Sequence, residues 1–581
     1  MKRFFITIVL SVALLPLAVA QSPKGTKEYE KERKHWVDSV LNTLTVRQQA
    51  AQLMVKALFP VLGQDHIDKM AALVEAENIG GITFSRGGPI LHANTVNRMQ
   101  SLAKTPLMIY MDAEWGVAMR LDSVVKFPRQ TTLGALENNN LIYDMGKEIA
   151  NQCKALGIHM NFAPVVDVNN NPDNPVINSR SFGENKYKVA EKGLAYMKGM
   201  QENGILTSAK HFPGHGDTNV DSHAALPLIS HDKKRLEDLE LYPFKQLIAN
   251  NVSSIMVAHL NIPAYEKKDS MPSSLSKSIV TDLLKKKLKY KGIVITDGLE
   301  MKGVTSLFPA NRIPLLAFLA GNDIMLGVEN PTGALDEFEA AVERGEVSKK
   351  KLREACRKIL EMKYDMSLAN FAPLKTEGLI DALNTPEAVK LNNDLYANAI
   401  TVLRNKGVLP LMPKELSKVA YLEVGIDDGS YYTDTLTKYY NRLDKFSLSK
   451  KPEAAEVDSI RTLLKPYNRV LVGYHSTDLR PQYSYGIDST CLTLIHDLTK
   501  EKQVILDFFG LPYGIMQFDV DAFETVIISY DNSPEAQVQS ARLLMGDNPA
   551  SGTLPVTIST SYKEGFGLNV PASYKANNAK K

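Results

Sequence analysis

From about residue 54 to residue 330 the chain repeats one unit, in which a short apolar run is followed by a longer stretch with helical spacing. The runs are Val55–Phe59, Gly81–Phe84, Leu107–Met111, Ile158–Val168, Ile205–Ala209, Ser253–Ala258, Gly292–Thr296 and Asp323–Leu326. Strand–helix alternation of this kind argues for parallel α/β structure, and seven or eight units over about 300 residues is the size of a TIM-type (β/α)8 barrel. Several runs end directly in a side chain capable of chemistry: Asp112, the pair Lys210 and His211, His259 and Asp297. A barrel enzyme places its active site at the C-terminal ends of its strands. A strand cap or turn residue explains any one of these endings, but four in register are harder to assign to capping alone.

The flanking segments set the expected domain organisation. Thr45-Val46-Arg47-Gln48 fits a capping box and opens a helix running through Met54. Lys349–Met366 reads as a charged amphipathic helix that closes the barrel, after which Ser367–Pro386 loses periodicity. A second α/β pattern follows, with strands expected at Val419–Val424, Arg469–Tyr474, Val504–Phe509, Thr525–Ser529 and a final one at Gly552–Val556. The expectation is a barrel over 27–366, a linker over 367–395, an α/β/α sandwich over 396–565 and a tail over 566–581. Residues 1–20 differ in kind: Lys2 and Arg3 precede an apolar run from Phe4 to Val19, and Ala18-Val19-Ala20 offers a cleavage site. That is the pattern of a secretory signal, and no Cys follows it to carry a lipid anchor, so an exported protein, periplasmic or secreted, is expected.

Composition excludes more than it selects. The 581 residues are 44% hydrophobic and 23% charged with a net charge of +3, and no basic stripe of the kind a nucleic-acid binder needs is present. Cys153, Cys356 and Cys491 are widely spaced and odd in number, which gives neither a disulfide framework nor a Cys-x-x-Cys site; buried small apolar residues are expected.

The densest polar segment runs Lys210-His211-Phe212-Pro213-Gly214-His215-Gly216-Asp217-Thr218 and continues to Asp221-Ser222-His223. It begins as a strand end and becomes a loop that Pro213, Gly214 and Gly216 keep from being helical. Lys210 and His211 are suited to donating hydrogen bonds to sugar hydroxyls. Asp221 and His223, two residues apart, form a dyad able to act as general acid and then general base. A metal site built on His211, His215 and His223 is an alternative, although the spacing matches no known zinc pattern. In the second segment, Gly292–Thr296 delivers Asp297 to a strand end, where a carboxylate can attack an anomeric carbon. Glu300 competes for that role, but about one helical turn later it is expected to point away from the pocket.

These residues resemble glycoside hydrolase family 3, and specifically its β-N-acetylglucosaminidase branch. The Lys210–His223 segment is similar to the signature of that branch, and Thr296-Asp297 with Glu300-Met301 resembles the nucleophile segment of the family. Asn161–Val168, Arg180-Ser181-Phe182-Gly183, Leu403-Arg404-Asn405 and Ser551–Pro555 resemble further family motifs. The resemblance implies a retaining exo-glycosidase that removes terminal β-linked N-acetylglucosamine from peptidoglycan fragments or chito-oligosaccharides and needs no cofactor. It implies Asp297 as nucleophile, His223 as acid/base with Asp221 as its partner, and Asp112, Arg120, Arg180, Lys210 and His211 as the residues that hold the terminal sugar. The usual Asp-x-Glu-Gly-Gly motif reads here Asp112-Ala113-Glu114-Trp115-Gly116, which leaves open whether Trp115 stacks on a sugar or packs in the barrel mouth. The competing readings are a β-glucosidase of the same family, a metal-dependent hydrolase and a non-catalytic wall-binding protein. Against the first stands the intact Asp-Ser-His end of the loop; against the last, the presence of every catalytic residue.

Overall fold

A computed structural model of the protein describes residues 22–221, 225–411, 419–426, 430–439, 443–475 and 477–573. The expected export signal and His223 therefore lie outside the described residues, as does the end of the expected tail.

Eight short strands form the first sheet: β1 (Met54–Leu58), β2 (Gly81–Phe84), β3 (Met108–Met111), β4 (Met160–Asn161), β5 (Leu206–Phe212), β6 (Ser254–Val257), β7 (Ile293–Thr296) and β8 (Met325–Leu326). They pair in parallel in chain order, and β8 returns to β1. A bridge between Ile295 and Ile324, with Ile324 N donating to Val294 O, joins β7 to the approach of β8 and completes the ring. Inward side chains fill the barrel as a packed core. Tyr110 stacks on Phe162 with ring centroids 5.4 Å apart, alongside the buried Met108, Met160, Met256 and Ile295.

The capping box at Thr45 forms as expected, but the helix it opens spans only Val46–Ala51, because β1 begins three residues later at Met54. The closing helix, Lys349–Asp365, buries Cys356 and Leu360 against Val37 and Leu41 of the helix Lys27–Thr43. All three cysteines are free and buried.

The second sheet contains β9 (Thr401–Asn405), β10 (Val419–Val424), β11 (Asp444–Leu448), β12 (Arg469–Tyr474), β13 (Gln503–Phe508) and β14 (Thr525–Ile528). Its order is β11-β10-β12-β13-β14-β9, parallel except for β9 against β14. The helix Ser489–Glu501 joins β12 to β13, and the helix Pro534–Leu544 follows β14.

Three sequence expectations need correction here. The stretch expected to be a linker contains the helices Leu379–Leu383 and Pro386–Ala399. Pro386 starts the second of these at its first position, where its missing N–H costs nothing, and Thr385 caps it. Gly552–Val556 is no strand, since its backbone bonds go to neighbouring loops: Thr553 N donates to Ala135 O and Leu554 N to Phe566 O. Residues 566–573 are no loose tail, because Leu568 N donates to Val402 O and Val570 bridges Ala550.

Lys363 gives this fold a pH signature. It is fully buried in the closing helix, its ammonium nitrogen 2.6 Å from Gln52 Oε1, and burial pushes its pKa down to about 7. The unfolded chain keeps the ordinary value of 10.5, so between those values the unfolded state binds the extra proton and stability rises with pH. The melting temperature of the wild type should therefore climb between pH 7 and 9 more steeply than that of Lys363→Met. Equal slopes for the two proteins contradict the assignment.

Candidate functional site

The C-terminal ends of the barrel strands surround a cavity of about 750 Å³, lined among others by Asp112, Glu114, Arg120, Arg180, Lys210, His211, His215 and Asp297. Two local features deliver Lys210 and His211 to it together. β5 is the longest barrel strand, and its register against β6 shifts between Ala209 and Phe212, so the extra residue breaks the strict alternation of faces. The loop that follows then presses onto the segment after β4. A Cβ at Gly216 would sit 1.9 Å from Val168 O, so that position admits only glycine.

The site is organised around buried charge. Lys210, 2% exposed, places its ammonium 2.7 Å from Asp112 Oδ1 and 2.8 Å from Glu114 Oε1. Arg120 donates to the other Asp112 oxygen at 2.8 Å. Arg180 grips Glu114 with two parallel bonds of 2.7 and 2.9 Å, the planar fork geometry that makes such pairs strong. Burial alone would raise the Glu114 carboxyl, but Arg180 and Lys210 hold it well below the usual carboxylate range. Asp112 is lowered in the same way, burial being outweighed by Lys210 and Arg120. Arg180 also approaches His211 Nε2 at 3.2 Å, while Asp167 takes His211 Nδ1 at 2.7 Å and the His215 backbone N–H at 2.7 Å.

Asp297 sits at the turn after β7, its Oδ1 accepting the Gly298 N–H at 2.8 Å. Burial opposes its ionisation, yet His211, His259, that N–H and Lys210 together bring its pKa down to about 2. Asp297 is thus an anion at any working pH. His259, expected as one of the strand-end polar groups, does not line the cavity. It is fully buried, with Nδ1 2.7 Å from Ser274 Oγ and Nε2 2.9 Å from the Gly298 carbonyl, and so fixes the turn that carries Asp297.

Glu300 departs from expectation, since its side chain lines the cavity. The carboxylate folds back over Gly327, where φ is +68° and a Cβ would lie 1.6 Å from Glu300 Oε2. The chain does not continue helically from Asp297 to Glu300, so a one-turn spacing argument misplaces it. Trp115 is 8% exposed, lies under the Arg129 guanidinium at 4.0 Å from the ring centroid, and is not part of the cavity lining; it packs in the barrel mouth. Asp221 is half-buried and lies outside the cavity lining, while its expected partner His223 lies outside the described residues.

Glu114 and Asp167, the two carboxylates on which the cluster turns, were visible in the sequence only as letters within larger motifs. Both are buried acids, a placement nature allows only for paired charges, but burial is a tertiary property that spacing does not reveal. Among the described residues, no group of three or more His, Cys, Asp or Glu is arranged to hold a metal ion.

Comparison with known proteins identifies the family. Residues 45–362 match the model of the glycosyl hydrolase family 3 N-terminal domain. The chain is similar to a protein named beta-hexosaminidase A from Pseudoalteromonas piscicida, at 29% identity covering 82% of this chain and 90% of that one. It is also similar to a beta-N-acetylglucosaminidase/beta-glucosidase from Cellulomonas fimi, at 25% identity covering 83% and 89%. The solved structure of a family 3 beta-N-acetylglucosaminidase from a Paenibacillus species superposes with a TM-score of 0.76 at 30% identity, covering 89% of this chain and 99% of that one. With more than half of its length matched to the family model, the chain belongs to glycosyl hydrolase family 3.

Proposed function

We propose that the protein is a retaining exo-β-N-acetylglucosaminidase that works through a glycosyl–Asp297 intermediate. The observation that carries the reading is that Asp297, next to groups that favour its anion, lines the same cavity as a preassembled set of paired charges. Asp112, Arg120, Arg180, Lys210 and His211 hold the terminal sugar. Lys210 and Arg120 orient the Asp112 carboxylate, which accepts from sugar hydroxyls, and Arg180 and His211 donate at the next positions. Binding energy is thereby spent on fixing the anomeric carbon over Asp297.

In the first step the Asp297 carboxylate attacks that carbon while the leaving oxygen takes a proton from His223, with Asp221 stabilising the imidazolium. In the second, neutral His223 accepts a proton from water as the water displaces Asp297. An imidazole suits this second step, since it carries no negative charge to repel the departing Asp297 carboxylate. No cofactor enters this chemistry.

The N-acetyl preference rests on the Lys210–His223 segment and on the names of the relatives. The export pattern of residues 1–20 points to a periplasmic or secreted enzyme acting on peptidoglycan fragments, with chito-oligosaccharides as the related substrate. A β-glucosidase reading is favoured by one observation, the double name of the Cellulomonas relative.

Side-by-side release of p-nitrophenol from the β-N-acetylglucosaminide and the β-glucoside separates the two. The N-acetyl substrate should be preferred, and Asp297→Ala should lower kcat/KM by about 10⁴-fold or more. Preference for the glucoside overturns the reading of the Asp221–His223 loop and leaves the nucleophile intact. A pH profile tests the dyad. Because Asp297 is already ionised above about 2, it sets no limb of the profile at ordinary pH. Deprotonation of His223 removes the general acid, so it sets the alkaline limb, and a neighbouring carboxylate moves that limb upward. With chitobiose, whose poor leaving group needs the proton, Asp221→Ala should shift the limb to lower pH. A limb that stays in place transfers the acid role to another group, Glu300 being the cavity carboxylate that has no other role here.

A further inference from the structure

The sandwich domain has a cavity of its own, about 590 Å³ in volume, lined by residues such as Lys450, Lys451, His475, Thr477, Tyr483 and Asn532. Its position follows from topology. β10 pairs with β11 on one side and β12 on the other, so the strand order reverses between β10 and β12. Open parallel sheets bind ligands in the crevice beyond the carboxyl ends of the strands at such a reversal. The cavity lies there: Gly425 directly follows β10 and His475 directly follows β12.

The lining has a definite chemistry. Lys450 and Lys451 are exposed, and among the described residues their side chains form no ion pair or hydrogen bond. Tyr483 is 57% exposed even though the Arg480 guanidinium lies over its ring at 4.2 Å, an aromatic surface that the fold itself leaves uncovered. The floor is polar and fixed. His475 is buried, stacked on Phe509 with centroids 4.2 Å apart, and bonded to Asn532 Oδ1 at 2.7 Å and the Tyr421 hydroxyl at 3.1 Å. Thr477 Oγ1 donates to Phe509 O and keeps its lone pairs for another donor. Of the two carboxylates in the lining, Asp478 is paired with Arg480, and Asp488 accepts the Thr490 and Cys491 N–H groups. The two ammonium groups, without a partner among the described residues, therefore suit an anion, while an exposed ring beside fixed acceptors and donors suits the face and hydroxyls of a sugar.

One wall of the crevice also reaches the catalytic domain. Residues 481–487 contribute Tyr483, Gly486 and Ile487 to the cavity, and between them Ser484 and Tyr485 both adopt left-handed backbone, with φ of 51° and 56°. Such conformations cost free energy in non-glycine residues and persist only where the surroundings fix them. Here the fixing partner is the barrel. The Tyr485 hydroxyl donates to Pro172 O and accepts from Asn178 Nδ2 at 3.2 Å. In the loop they belong to, Asn174 Nδ2 donates at 3.0 Å to both His215 O and Gly216 O, and Arg180 lies two residues beyond Asn178.

We propose that this crevice is a second ligand site, taking a small acidic hexose that carries a phosphate or carboxylate, and that Tyr485 transmits its occupancy to the catalytic loop. The test is titration calorimetry on the full chain with glucose 6-phosphate and with glucuronate, with inorganic phosphate as the anion lacking a sugar. At least one acidic hexose should bind saturably at one site per chain, more tightly than phosphate. Lys450→Ala/Lys451→Ala should weaken that binding at least about 10-fold while leaving the activity without the probe unchanged. Which hexose binds identifies the anion. Coupling is read on whichever aryl glycoside the enzyme turns over: a saturating probe should change KM by about fivefold. Tyr485→Phe should keep the binding and lose that change. Binding of neither hexose, binding no tighter than phosphate, or binding that survives the double substitution overturns the site. An unchanged KM at saturation overturns the coupling.

Discussion

The catalytic face depends on one buried ammonium group. Lys210 lies between Asp112 and Glu114, and each of its neighbours is held by a further charge. Glu114 passes the constraint to Arg180, Arg180 to His211, and His211 to Asp167, which also takes the backbone of His215. In a low-dielectric setting such a network is worth most when complete and costs most when one member is missing, because the remaining charges stay buried without a partner. The result is a set of side chains whose positions are fixed before a substrate arrives, which is what the proposed placing of one anomeric carbon over Asp297 requires.

The same logic explains why the two sheets belong together. The segment from Asn169 to Arg180 is long and carries little regular structure, so its own backbone does not hold it. Its support comes from both domains. Asn174 ties it to the loop after β5, and Tyr485 ties it to the sandwich, as does Tyr513, whose hydroxyl accepts from Asn169 Nδ2 at 2.7 Å. Further along, Glu184 takes both the backbone and the hydroxyl of Thr557. Among the described residues, none of those lining the barrel cavity comes from the sandwich domain, yet the loop that shapes the cavity is anchored there.

Legibility in the sequence followed the range of the interactions concerned. Gly81–Phe84, Val419–Val424 and Arg469–Tyr474 match their strands residue for residue, because strand, turn and burial are all local in parallel α/β units. Asp112, Lys210, His211 and Asp297 could be singled out because each follows an apolar run, and the structure brings all four to one cavity. What could not be read depended on distant partners. Asp444–Leu448 is an edge strand with a largely half-buried surface and carries no clear apolar pattern. Gly552–Val556 looks like a strand but spends its backbone bonds on neighbouring loops, one of them in the barrel domain. Glu300 required knowing that the chain after Asp297 turns back, and His259 that its ring faces the Gly298 carbonyl. Trp115 required knowing that Arg129 covers it.

The central claim is that Asp297 becomes covalently bonded to the sugar. Burial opposes its ionisation, but the Gly298 N–H and the charges of His211, His259 and Lys210 outweigh it and favour the anion over the acid. The direct measurement is to trap the intermediate with a fluorinated N-acetylglucosaminyl donor that forms it quickly and hydrolyses it slowly, then map the modified peptide by mass spectrometry. The account predicts one added sugar per chain, on the peptide containing Asp297, and none in Asp297→Ala. A sugar attached at Glu300, or turnover of the donor with no covalent species at any time, contradicts it.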